Sequence, residues 1–250
     1  MPAGAKRAAG GCETGEGRWA GGPACRRVRG GGPAGRQTVH VDVHDAVRAR
    51  RMVRSFTSEP VPDDVLDRLL ADALRAPTAG NTRGIAWVVL RGPDETPRYW
   101  DAATTKAWRS NARRWPGISR APVVALAVAC PSAYLARYAE PDKARAASDL
   151  GLGRTEAAWP VPYWHGDAAF SVMTLLLGAT SAGLGACFLG NFRSETAVLA
   201  SLGVPEGWRL FGAVALGYPA GDDPRSTSLD RRPPGAMTRL HWGAWGAERH

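Results

Sequence analysis

Two kinds of hydrophobic spacing alternate along this chain. Val65, Leu66, Leu69, Leu70, Ala73 and Leu74 recur at three- and four-residue intervals, the period of a helix with one apolar face. Pro62-Asp63-Asp64 opens that helix with proline in its first turn and acids at its positive end, and Pro77 stops it. In contrast, "IAWVVLRG" (85–92) and "APVVALAVAC" (121–130) are unbroken apolar runs, the second ended by Pro131. Strands covered on both faces look like this. "ACFLG" and "WRLFGAVALGY" (208–218) predict two more strands. Asp42 caps a short helix through Val43, Ala46 and Val47. Residues 94–115 are expected to be partly helical, with Trp100, Trp108 and Trp115 spaced along them. Tyr138 to Trp164 is expected to be a polar, Trp-rich loop, 167–182 a long apolar helix with Asp167 as its cap, and 194–202 a short helix.

The longest uncharged run, Ala168 to Phe192, covers 25 positions. That length could span a bilayer. Gly183-Leu184-Gly185 divides it, as a helix end followed by a strand would, and Ser171, Thr174, Thr180 and Ser181 dilute it. A buried central helix leading into a buried strand is the reading that follows, with no membrane span. No repeat is visible and no linker divides 42–218, so one α/β or α+β domain is expected.

Charge changes the picture only at the N-terminus. Of the formal net charge of +9, residues 1–40 hold +5, from seven bases and two acids. That segment has eleven glycines by Gly35 and almost no aliphatic residues. It cannot bury enough apolar area to offset its ordering entropy. It is expected to be a disordered tail that need not belong to the native protein, with the domain over 41–250. The body is only mildly basic, which suits a phosphate-bearing small molecule. A basic nucleic-acid-binding arm on an inert domain is the competing reading of the tail, but the aromatic interleaving such arms use is almost absent. Cys12, Cys25, Cys130 and Cys187 form no CxxC pair, which argues against zinc or thioredoxin-type chemistry. The N-terminus lacks the apolar stretch of a signal peptide, and a cytoplasmic location is expected.

The usual phosphate cradles are missing: there is no GxGxxG after a strand and no GxxxxGK[ST]. GxSxG and HExxH are absent too, and the five histidines show no metal spacing. Instead Arg48, Arg50, Arg51 and Arg54 crowd into "RARRMVRSF". Crowded guanidinium groups repel one another unless they share an anion. Further on come "LLADALRAPTAGNTRGIAWVVL" (69–90), "PVPYWHGDAAFSVMTLLLGATSAGLGACFLG" (160–190), "FGAVALGYPAGDDP" (211–224) and "SLDRRP" (228–233).

In this order and spacing, over roughly 42–242, these segments resemble the nitroreductase family of FMN-dependent oxidoreductases. The resemblance implies an α+β, three-layer fold: a central mixed sheet flanked by helices, built as an obligate homodimer with FMN between subunits. It implies that Arg50 and Arg54, with Arg51 between them, grip the FMN phosphate and ribityl side, and that Arg231 or Arg232 closes on the same phosphate. Guanidinium forks match phosphate oxygens two bonds at a time. Thr78, Gly80 and Asn81 would meet the ribityl chain and the pyrimidine edge, where the Asn81 amide offers both a donor and an acceptor. Backbone N–H groups from Trp164, His165 and Gly166 would face N5 and O4. Leu189 and Gly190 would pack near the ring. Arg54 is the candidate positive charge beside N1 and O2. His165 is the histidine nearest the chemistry, although family members do not usually rely on a side-chain acid there, and the resemblance implies no metal.

The implied activity is hydride transfer from NAD(P)H through flavin N5 to a small aromatic, quinone or nitro-type acceptor, in a ping-pong sequence. Specialised relatives destroy their own flavin to make dimethylbenzimidazole, oxidise azolines or remove halogens, and remain alternatives. The chain departs from the family pattern in places. Met52 stands where the first cluster usually has serine, and Arg83-Gly84-Ile85 where the turn usually reads Gln-Pro-Trp. Trp159, Tyr163 and Trp164 are expected to wall a pocket for a flat aromatic molecule.

Overall fold

The computed structural model describes residues 42–110, 117–143, 149–191, 194–223 and 240–247. Expectations for residues 1–41 and for Trp115, Arg231 and Arg232 fall outside these. Four strands form one sheet: β1 (Ile85–Arg91), β2 (Val123–Ala129), β3 (Gly185–Leu189) and β4 (Arg209–Gly217), in the order β1-β2-β4-β3. All three pairings are antiparallel. Parallel pairing among the described residues is confined to two isolated bridges, Met52 to Ala186 and Ser55 to Gly117. All seven residues of β2 are buried, which explains its unbroken apolar run. Helices cover both faces of this interior strand, so both faces need apolar side chains.

Seven α-helices among the described residues surround the sheet. They are α1 (Val43–Ala49), α2 (Asp63–Ala73), α3 (Gly92–Ala103), α4 (Lys106–Arg109), α5 (Pro131–Ala139), α6 (Tyr163–Ser181) and α7 (Glu195–Ser201). Alternation sorts the strands between two layers. Val123, Ala125, Ala127, Ala186, Val214 and Leu216 face α2 and α6. Val124, Leu126, Val128, Ala213 and Ala215 face α3 and α7. Short side chains bring α6 close: a Cβ on Gly178 would stand 2.8 Å from a Leu69 methyl. The three-layer α+β architecture follows from this sorting. No helix among the described residues is long and apolar enough to cross a membrane.

Two local expectations need correction. Pro131 does not merely end β2; it opens α5 from the first turn, where its missing N–H costs nothing. The long apolar helix begins at Tyr163 rather than 167, with Pro162 preceding it. Asp167 is therefore inside α6, not its cap. Only 2% of it is exposed.

Candidate functional site

The arginine segment follows α1 at the sheet's β3 edge, where Val53 N–H donates to Ala186 C=O at 2.9 Å. Arg50 ends α1. The guanidinium of Arg51 pairs with the Asp223 carboxylate. The same carboxylate accepts the main-chain N–H groups of Arg54, at 2.6 Å, and Ser55, at 2.9 Å. Ser55 Oγ donates to Asp222 and accepts from Arg120 Nη2 at 2.8 Å. Arg120 and Ser55 lower the Asp222 pKa, with the hydroxyl contributing most. The backbone donors at 54 and 55 thus serve an internal carboxylate, so an outside anion at this edge would be met by side chains rather than by these N–H groups. Arg50, Arg51, Arg54 and Arg120 against Asp222 and Asp223 leave a local charge of +2, which matches a phosphate monoester of nearly −2. Met52, in the place of the usual serine, offers its sulfur to the Phe188 N–H at 3.4 Å.

From that edge a ladder of rings, partly exposed up to the buried Trp164, runs across the strand ends. Phe188 and Phe211 lie 5.4 Å apart, Phe211 and His165 6.2 Å, and His165 and Trp164 6.1 Å. Neither phenylalanine was singled out by the sequence reading. The available signal was two aromatic residues in strands otherwise made of small and aliphatic ones. Burial, followed by the charge of Arg209, lowers the His165 pKa. Its imidazole is therefore neutral at pH 7 and is not a stored acid. Trp164, His165 and Gly166 form the first turn of α6 rather than a loop, and the His165 N–H donates to Pro162 C=O at 2.9 Å. The expected aromatic pocket is also revised. Trp159 and Trp164 are buried against Tyr134 in their own cluster, and only Tyr163 is substantially exposed.

The turn at 78–83 is held from two sides. Gly80, Asn81 and Arg83 all have left-handed φ, at 63°, 57° and 56°. Two of the three are not glycine, a strained arrangement that surrounding contacts must enforce. Those contacts come from α5 and α6. Arg137 Nε donates to Gly80 C=O at 2.8 Å, while its other nitrogens hold Asp142 and Glu140. Ala79 N–H donates to Asp167 Oδ2 at 2.8 Å, and Tyr134 Oη donates to the same oxygen at 2.7 Å. Burial and this carboxylate raise the Tyr134 pKa far above its usual value, so the phenol stays a donor. One turn along α6, Ser171 Oγ donates to Ala73 C=O at 2.8 Å and accepts from Trp87 Nε1 at 3.1 Å. A cavity of about 210 Å³ lies between these groups, lined among others by Thr78, Arg83, Asp167 and Ser171. Asn81 is exposed, and its amide faces solvent apart from a 3.4 Å contact with Arg83 Nε.

Gly80 fits this turn for two reasons, its φ and its position 2.8 Å (for a Cβ) from the Tyr138 ring. Gly80→Ala is expected to destabilise the protein by about 2 kcal/mol, the scale of one left-handed strain plus a close contact. Urea denaturation measures it, and an unchanged midpoint would show that the turn relaxes freely.

The structure therefore joins the arginine edge to the α6 N-terminus through rings. It braces Thr78, Gly80 and Asn81 through α6. Leu189 is buried with its side chain toward α3 and α7, and Gly190 follows it at the end of β3.

Comparison with known proteins points one way. The family model described as the nitroreductase family matches residues 47–218. A Thermus thermophilus protein named NADH dehydrogenase is 32% identical over 190 residues, covering 72% of this chain and 88% of that one. A Desulfovibrio desulfuricans structure, described as a nitroreductase in complex with FMN, superposes with a TM-score of 0.55 at 25% identity. It covers 75% of this chain and 92% of its own. A nitroreductase family protein from Clostridium novyi NT aligns over 83% of this chain and 97% of its own, with a TM-score of 0.55 and 20% identity.

Proposed function

The chain belongs to the nitroreductase family, and we propose that it is an FMN-dependent oxidoreductase using NAD(P)H to reduce a small aromatic, quinone or nitro-type acceptor. The observation that carries this reading is the continuous ring ladder, with an arginine edge of charge +2 at one end and the α6 N-terminus at the other. A flat, apolar ring system bearing a phosphate tail fits such a surface. The similarity to an FMN-bound structure and to a protein named NADH dehydrogenase supports the same cofactor and donor.

In this reading Arg50, Arg51 and Arg54 hold the phosphate, joined by Arg231 or Arg232 from beyond the described residues. Phe188 and Phe211 underlie the ring. Thr78, Gly80 and Asn81 supply the polar edge that orients it, and Trp164, His165 and Gly166 approach it with the first turn of α6. Leu189 and Gly190 close the β3 end. FMN, when bound, would supply the hydride chemistry, with NAD(P)H as donor and the acceptor using the same site in turn, a ping-pong sequence through N5. Neutral His165 contributes a flat wall and no acid.

The reading includes a homodimer. Val43 and Val47 on α1, Leu74 after α2, and Phe170 and Met173 on α6 are 47–72% exposed. They lie on helices that pack against one another, an apolar face that a second copy would cover.

The test is the visible spectrum of the purified protein with mass analysis of what denaturation releases. A flavin spectrum, FMN in the extract and bleaching by NADH or NADPH are expected. A colourless protein that FMN cannot reconstitute would leave the fold assignment standing and remove the activity.

A further inference from the structure

Arg83 closes the strained turn at 78–83. Its φ of 56° lies in the left-handed region, which side chains rarely adopt and glycine adopts freely. Residues held in such conformations gather at functional sites, where surrounding contacts keep them. Here one such contact is local: the Arg83 N–H donates to Thr78 Oγ1 at 3.0 Å. The backbone is pinned while the side chain reaches solvent.

The guanidinium brings charge to this turn and meets no acid there. Arg137, which braces Gly80 from α5, is paired with Glu140 and Asp142. Asp167 lines the same cavity as Arg83, but its Oδ2 serves Tyr134 and Ala79. Among the described residues Arg83 forms no ion pair, and its side-chain contact is from Nε to Asn81 Oδ1 at 3.4 Å. A guanidinium only donates, so the amide atom it meets is the oxygen. Asn81 is exposed, and its NH2 is open to a partner outside the turn. The turn therefore presents donors and one positive charge, a pattern that suits an edge of oxygens on which negative charge gathers.

We propose that Arg83 is a positioning residue that raises the reduction potential of the bound flavin, by orienting the Asn81 amide and by holding an unneutralised charge beside the pyrimidine edge. The proposal rests on the FMN reading above. Hydride carries two electrons and one proton, so a ring that accepts it gains one negative charge. A cation beside that ring favours the reduced form over the oxidised one. The charge sits on an exposed side chain, so its effect is modest and salt-sensitive.

The experiment measures the two-electron reduction potential of the full-length, FMN-loaded protein against a reference dye, in slightly alkaline buffer at low salt. Arg83→Gln keeps a polar side chain and removes the charge. It should shift the equilibrium about fivefold toward the oxidised form, about 20 mV downward for a two-electron couple. Arg83→Lys should keep most of the wild-type potential. Arg83→Gly should lower the potential as glutamine does while holding or raising the melting temperature, because glycine relieves the left-handed backbone. At about 1 M salt the differences should vanish, since the screening length falls to about 3 Å. A lysine variant that falls as far as glutamine would overturn the proposal, as would a difference that molar salt leaves untouched. Flavin held at an unchanged potential in Arg83→Gln would overturn this proposal alone. A wild-type protein that takes up no FMN would overturn the cofactor reading and this proposal together.

Discussion

Asp167→Ala is expected to lower the stability of the protein by about 3 kcal/mol, or roughly 6–12 °C in melting temperature for a chain of this size. The loss has two parts. The Tyr134 hydroxyl and the Ala79 N–H both donate to Asp167 Oδ2, at 2.7 and 2.8 Å. Alanine strands both donors, and Tyr134 is fully buried. Each stranded donor costs about 1–3 kcal/mol. Asp167→Asn separates hydrogen bonding from charge. An amide oxygen in the Oδ2 position can still accept from both donors, so a loss under about 1 kcal/mol is expected. Flavin retention should follow the same order, because Ala79 opens the turn that carries Gly80 and Asn81. Differential scanning calorimetry of the two variants decides the matter. Equal losses for alanine and asparagine would show that the carboxylate acts through its charge and not as a shared acceptor.

The Asp167 contacts also show how far the sequence could be read. The order of helices and strands, α5 apart, was legible because apolar spacing is a local property. β2 was recognisable as an interior strand from seven apolar residues in succession. The start of α6 was not legible. An aspartate before a long apolar run looks like a cap, and only the burial of Trp164 against Tyr134 shows that the helix starts a turn earlier. A clue was present: Asp167 and Ser171 are four apart in a run that is otherwise apolar. On a helix that spacing places two polar groups on one buried face, where each requires a partner.

The arginine edge illustrates a different limit. The crowding of Arg50, Arg51 and Arg54 was visible, and so was the motif ending in Asp222-Asp223. What could not be seen is that these acids turn back across some 170 positions to bind the backbone of Arg54 and Ser55. Nothing in local spacing encodes such a contact. Tyr134 and Arg137 were missed for a related reason, since α5 was hidden behind a proline that looked like a stop.

Arg54→Glu is expected to abolish FMN retention while leaving the protein folded. The substitution takes the local charge from +2 to about 0, set against a phosphate carrying about −1.5 to −2. Losing a charge-assisted contact and adding a like charge should together weaken FMN binding by at least a hundredfold, since each such contact is worth about 1.5–3 kcal/mol. The fold should survive because the Asp223 anchor uses the main-chain N–H of Arg54, at 2.6 Å, and not its side chain. Among its contacts the guanidinium donates to Met52 C=O at 3.2 Å, a partly buried bond whose loss should cost about 1 kcal/mol. Arg54→Lys keeps the charge and loses the fork, so an intermediate loss of about tenfold is expected. Flavin content per protomer and an FMN titration of the stripped protein measure all three forms, with the melting temperature of the stripped protein as the control for folding. Wild-type flavin content in Arg54→Glu would remove Arg54 from the phosphate site and leave Arg50 and Arg51 to account for it. A graded loss from lysine to glutamate, at nearly constant melting temperature, would establish that the crowded arginines are held apart by Asp222 and Asp223 so that they can converge on an anion from outside.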